Sequence, residues 1–107
     1  MLHYATTVSE LKEHFKIRVE IDGTPILVTW LADEVYAIQD RCTHLGASLS
    51  KGLVDGHHIK CRSHGAVFDV KTGDLIEKPH LGPLKMPAKQ AKTFPIIIKE
   101  GSIYIEL

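Results

Sequence analysis

"CTHLGASLSKGLVDGHHIKCRSH", residues 42–64, contains both cysteines of the chain, and each has a histidine close behind it: His44 after Cys42, His64 after Cys61. The pattern is C-x-H, sixteen intervening residues, then C-x-x-H. One disulfide could use both thiols, but pairing each with an imidazole argues for thiolates reserved for a metal. Two thiolates and two imidazoles suit tetrahedral zinc. The division of ligands fits zinc less well, because zinc fingers usually take both sulfurs from one knuckle and both nitrogens from a helix. A nucleophile–base reading of Cys61 with His64 leaves the second pair without a purpose.

The flanking sequence reads as strands. "KIRVEI" alternates Ile17, Val19 and Ile21 with charged residues, a period of two. Asp22-Gly23 marks a turn into "PILVTWL", where Pro25 is tolerated at the strand's start. Asp33-Glu34 turns the chain into "VYAIQ", which completes a meander. Asp55-Gly56 precedes "HHIKC", and "AVFDV" and "DLIE" flank a turn at Lys71-Thr72-Gly73-Asp74. "FPIIIKEGSIYIEL" predicts a last hairpin about Glu100-Gly101. Only "SELKEHF" has helical character, with Ser9 as a candidate N-cap. The sum predicts an all-β domain of roughly eight to ten short strands, with both Cys-His pairs on loops at strand ends.

At 107 residues the chain predicts one domain, residues 1–107, able to bury a modest core. With 44% hydrophobic and 24% charged residues and a net charge of zero, neither disorder nor nucleic-acid binding is expected. The apolar runs are too short to span a membrane and no secretory signal opens the chain, so a cytoplasmic protein is expected. The neutral total hides an asymmetry. Residues 1–40 carry three basic and seven acidic side chains, whereas residues 41–92 carry nine basic and four acidic.

A two-iron cluster accounts for one sulfur and one nitrogen per loop. In a Rieske centre, two histidines replace two cysteines on one of the two irons. "CTHLG" and "CRSHG" closely resemble the two halves of the Rieske motif, down to the glycine after His64, and the resemblance extends over most of the chain. It implies a Rieske-type fold of antiparallel sheets with a cluster-binding subdomain formed by two loops, over about residues 41–83. It implies one 2Fe-2S cluster, with Cys42 and Cys61 on one iron and His44 and His64 on the other. Two thiolates leave the oxidised core neutral where four would make it a dianion, so an electron enters more readily. The function implied is one-electron transfer, which zinc does not perform.

Departures from the respiratory-chain members refine this. There the motifs read C-T-H-L-G-C and C-P-C-H-G-S-x-Y, with the extra cysteines in a disulfide and the serine and tyrosine hydroxyls donating to cluster sulfurs. This chain has Ala47 and Ser63 at the disulfide positions, and Ala66 and Phe68 at the donor positions. Missing donors predict a potential low in the Rieske range, between about −200 and −50 mV. "QDRCTH", "SLSKG" and "FPI" resemble the ferredoxins of bacterial aromatic-ring-hydroxylating dioxygenases. That likeness implies a soluble carrier between a flavin-dependent ferredoxin reductase and a terminal oxygenase, meeting each transiently. The oxygenase holds a 2-His-1-carboxylate iron. This chain has no room for such a site or for a flavin domain, so it is not expected to be an enzyme alone. The small Rieske-like subunit of assimilatory nitrite reductase is the alternative, and a structural zinc protein a more distant one.

The surroundings of the cluster are expected to include Leu45, Gly46, Ala47, Ser63, Gly65, Ala66 and Phe68. "KPHLGPLKMP" resembles the family's proline-bearing loop that shields the cluster, which adds Gly82 and Pro83. His3, His14, His57 and His58 read as ordinary surface residues, and Trp30 as a core or half-buried strand residue. If the loop at Gly82-Pro83 lies over the cluster, some of Lys78, Lys85, Lys89 and Lys92 are expected to rim the docking face.

Overall fold

The computed structural model describes residues 1–42 and 47–107 of the chain. Its elements run β1 (Leu2–Thr7), α1 (Val8–His14), β2 (Lys16–Ile21), β3 (Thr24–Leu31), β4 (Glu34–Gln39), a 3-10 turn (Leu49–Lys51), β5 (Leu53–Asp55) and β6 (His58–Lys60). They continue with β7 (Val67–Asp69), β8 (Leu75–Glu77), β9 (His80–Leu81), β10 (Leu84–Lys85), β11 (Ile96–Lys99) and β12 (Ser102–Glu106). The strands form three antiparallel sheets, β2-β3-β4, β5-β6-β7-β8 and β1-β12-β11, and a small hairpin of β9 and β10. Among the described residues no helix is long and apolar enough to cross a membrane.

The meander β2-β3-β4 is the middle of the molecule. Side chains alternate across a strand, and β3 is buried on both faces, which is why "PILV" is apolar without interruption. Ile26 and Val28 point into a core with Leu11, Phe94, Ile103 and Ile105. Leu27 points the other way, into a core with Ile38, Leu49, Ile59, Phe68 and both cysteines. The returning chain is tied to β4: the Gln39 amide donates to the Lys92 carbonyl at 2.8 Å, and the Lys92 amide to Gln39 Oε1 at 2.8 Å.

Three tight hairpins turn at Asp22-Gly23, Ala32-Asp33 and Glu100-Gly101, with both corner residues at positive φ in each. That geometry matches the right-handed twist of the flanking strands. The second turn corrects the expectation of Asp33-Glu34, since Glu34 already pairs with Leu31 as the first residue of β4. Sequence pointed to the wrong pair because Ala32 is not a residue that favours positive φ.

The helix is also shifted. Its N-cap is Thr7, in extended conformation, whose Oγ1 accepts from the Glu10 amide at 3.2 Å. Ser9 lies inside the first turn. Thr7 also ends β1, and this strand, which pairs with β12, raises the count to twelve strands among the described residues. Trp30 is half-buried, with the Lys12 ammonium 4.9 Å from its ring centroid.

Two-sided burial of β3 has a direct test. Ile26→Ala and Leu27→Ala are neighbours in sequence but empty opposite cores. Each should cost about 2–5 kcal/mol in urea unfolding. A near-zero cost for either one would mean that its face is not packed.

Candidate metal centre

The two cysteine loops are closed alike. Cys42 follows β4, and its amide donates to the Ala47 carbonyl at 2.6 Å. Cys61 follows β6, and its amide donates to the Ala66 carbonyl at 2.7 Å. Each loop is therefore closed by the same bond, from a cysteine to the fifth residue after it, an alanine both times. Cys42 is 3% exposed and Cys61 2%. Both sulfurs belong to the apolar core that includes Ala66 and Phe68, themselves fully buried. No disulfide joins the two cysteines.

Within the second loop Ser63 is exposed and His64 half-buried. Gly65 has φ 75°, and its amide donates to the Cys61 carbonyl at 3.2 Å. A side chain at Gly65 would also press on the His80 ring, 3.2 Å from where its Cβ would lie. The hairpin β9-β10 is anchored here, because the His80 amide donates to the His64 carbonyl at 2.8 Å. Gly82, at φ 57°, and Pro83 form its exposed turn, between the paired Leu81 and Leu84. His44, Leu45 and Gly46 lie outside the described residues. Ala47 is half-buried and packs on the cysteine-side core.

The donor set fits a two-iron cluster. Two thiols buried in one apolar wall can reach a common metal only as thiolates, and a charged sulfur there needs a cation beside it. Among the described residues no three His, Cys, Asp or Glu side chains gather for a single metal ion. The fourth member of the expected set, His44, falls outside those residues.

A buried carboxylate that no local pattern announces anchors residues 48–50. The Asp40 side chain has no exposed surface. Its Oδ2 accepts from Arg18 Nε at 2.7 Å and from Ser48 Oγ at 2.7 Å, and its Oδ1 from the Ser50 amide at 2.6 Å. Lys16 Nζ adds bonds to the carbonyls of Ser50, at 2.8 Å, and Gly52, at 3.1 Å. Gly52 has room for no side chain, since a Cβ would run into the Lys60 carbonyl. The arm after Cys42 is thus pinned between β2 and β6. Farther off, Tyr36 donates to Glu34 at 2.6 Å, and that bond holds its phenol above the ordinary range.

A cavity of about 700 Å³ opens beside the second loop, lined in part by Cys61, His64, Gly65 and His80. Lys51, Lys60 and Arg62 also line it. The expected Lys78, Lys85, Lys89 and Lys92 do not. Lys92 lies over the Phe94 ring at 5.2 Å and lines a different cavity with Gln39 and Arg41. The cations that do border the cavity come from the 3-10 turn, the end of β6 and the second loop.

The family model described as the Rieske [2Fe-2S] domain matches residues 2–95. Ferredoxin CarAc of Metapseudomonas resinovorans is 38% identical over 85 residues, 79% of this chain and 73% of that protein. The 3-phenylpropionate/cinnamic acid dioxygenase ferredoxin subunit of Escherichia coli strain K12 is 36% identical over 106 residues, 97% of this chain and 92% of its own length. A chain from the complex of reduced oxygenase and oxidized ferredoxin in carbazole 1,9a-dioxygenase superposes with a TM-score of 0.83 and 31% identity, covering 97% of this chain and 100% of that one. Dicamba monooxygenase gives 0.80 at 29% identity over 98% of this chain but only 31% of its own.

Removing the Asp40 carboxylate should loosen the first loop first. Asp40→Ala leaves Arg18 Nε, the Ser48 hydroxyl and the Ser50 amide without their acceptor, and should cost about 1–3 kcal/mol in chemical unfolding. Ser48→Ala should cost nearer 1 kcal/mol. Hydrogen exchange at the Ser50 amide should rise in Asp40→Ala before exchange in β3 does. Unchanged protection there would show that the carboxylate does not hold the arm.

Proposed function

The chain belongs to the Rieske [2Fe-2S] domain family, and from that premise we propose that Cys42, His44, Cys61 and His64 hold one two-iron cluster, Cys42 and Cys61 on one iron and the histidines on the other. The observation that carries this is the matching pair of loop-closing bonds, Cys42 to Ala47 and Cys61 to Ala66, with both buried cysteines in a common apolar wall. In this reading residues 1–107 form one Rieske domain, with residues 41–83 as its cluster-binding part. The protein is an electron carrier rather than a catalyst. Its donor would be a flavin-dependent ferredoxin reductase and its acceptor the terminal oxygenase of an aromatic-ring dioxygenase, as the ferredoxin relatives suggest. A cytoplasmic location belongs to the same reading, because a reducing compartment keeps both thiols available for iron.

When bound, the cluster supplies reversible one-electron chemistry. The chain's own residues set the conditions for it. Ala66 and Phe68 wall the sulfurs with hydrocarbon and offer no hydroxyl, so fewer donors favour the more negative reduced charge. Burial of both cysteines keeps water away from the sulfurs, and His64, only half-buried, provides the route toward a partner. We place the potential between about −200 and −50 mV.

Iron and acid-labile sulfide analysis with the visible spectrum tests the assignment. Two irons and two sulfides per chain are expected, with bands that bleach on reduction and are lost in Cys61→Ser or His44→Ala. A colourless protein carrying zinc would overturn it. Ala66→Ser and Phe68→Tyr should each raise the midpoint, by about 60 mV for a new hydrogen bond worth about 1.4 kcal/mol. A wild-type midpoint above about +100 mV would contradict the low-potential reading.

A further inference from the structure

The cavity beside the second loop has an unbalanced lining. Among the described residues Lys51, Lys60 and Arg62 border it and no acidic side chain does, although the chain as a whole has a net charge of zero. The three cations come from separate places: the 3-10 turn after the first loop, the end of β6, and the second loop itself. Apolar side chains lie among them. Leu53 is 71% exposed and Leu81 54%, unusual for leucines unless something covers them. Farther along the β5–β8 sheet, Asp55 and Glu77 line a neighbouring hollow that Lys60 also borders. Three cations thus gather at the mouth over Cys61 and His64, where an electron would have to leave or enter.

We infer that the redox partner of this protein docks with an acidic rim on Lys51, Lys60 and Arg62, around an apolar centre that covers Leu53 and Leu81. The inference rests on the electron-carrier reading above and adds the chemistry of the partner's surface. Like charges at an interface exclude wrong partners, and opposite charges raise the encounter rate. A protein with zero net charge gains no long-range attraction from its total, so any steering must come from this local field. Contact needs to be brief, and a small charged rim around a few leucines suits release.

Small reagents of opposite charge test the field without the native partner. The dithionite-reduced protein gives one electron either to hexacyanoferrate(III), an anion, or to tris(phenanthroline)cobalt(III), a cation, each reduced by one electron. Between about 0.01 and 1 M salt the Debye length falls from about 30 to about 3 Å. Over that range oxidation by the anion should slow by about tenfold or more, and oxidation by the cation should quicken. The triple variant Lys51→Gln, Lys60→Gln, Arg62→Gln should flatten both profiles, while Lys99→Gln, on β11, should leave them as in the wild type. A labelled oligoglutamate peptide gives a readout without electron transfer: by fluorescence anisotropy, the triple variant of the holoprotein should bind about tenfold more weakly than the wild type. Complete transfer with flat or reversed wild-type profiles, or peptide binding that is absent or unchanged in the variant, overturns the acidic partner and leaves the electron-carrier reading standing. A protein with no reducible iron overturns that reading and the inference with it.

Discussion

A carboxylate removed from water needs cations and donors around it, and in this molecule meeting that need organises the site. Asp40 sits where β4 leaves the central sheet for the first cysteine loop. Its partners come from β2, through Arg18, and from the far side of the loop, through Ser48 and the Ser50 amide. Losing Arg18 would leave the buried carboxylate without its cation, and losing either serine bond would leave it one donor short. The arm after Cys42 therefore has one place to go, and Leu49 is delivered into the core beside the cysteines. The second loop needs no such clamp, because it is held at both ends by the sheet strands β6 and β7.

The second constraint is a division of labour in the core. The central sheet is packed on both faces, so its two sides can be specialised independently. One side, with Leu11, Phe94, Ile103 and Ile105, is ordinary hydrophobic core closed by the terminal strands. The other ends in the two cysteines, Ala66 and Phe68. Apolar packing against thiols that become thiolates is unfavourable unless a metal is present. That makes the second core incomplete as a purely organic structure, in keeping with a cluster-carrying family. At Ala66 and Phe68 the described wall beside the cysteines is hydrocarbon and carries no hydroxyl.

Outside the core, charge is arranged by function rather than by total. Formal neutrality conceals a basic mouth at Lys51, Lys60 and Arg62, with acidic Asp55 and Glu77 a strand or two away. Leu53 and Leu81 stay exposed within that mouth. The ferredoxin relatives cover nearly all of this chain, whereas dicamba monooxygenase matches it over about a third of its own length. The same domain thus occurs both as a separate carrier and inside a larger oxygenase.

The sequence by itself determined the chemistry. Two Cys-His pairs separated by sixteen residues carry the ligand types whatever the fold, because which atoms bind a metal is a covalent property of the residues. It also determined the strands that alternate or turn at Asp-Gly and Glu-Gly, since those signals are local. It misplaced the N-cap at Ser9 and the turn at Asp33-Glu34, where extended backbone at Thr7 and positive φ at Ala32 are imposed by neighbouring strands. Only the tertiary structure decided that β1 pairs with β12 across almost the whole chain, that Arg18 reaches Asp40 over 22 residues, and that Lys51, Lys60 and Arg62 rather than the later lysines border the cavity. Burial and field depend on distances between parts that no local pattern encodes.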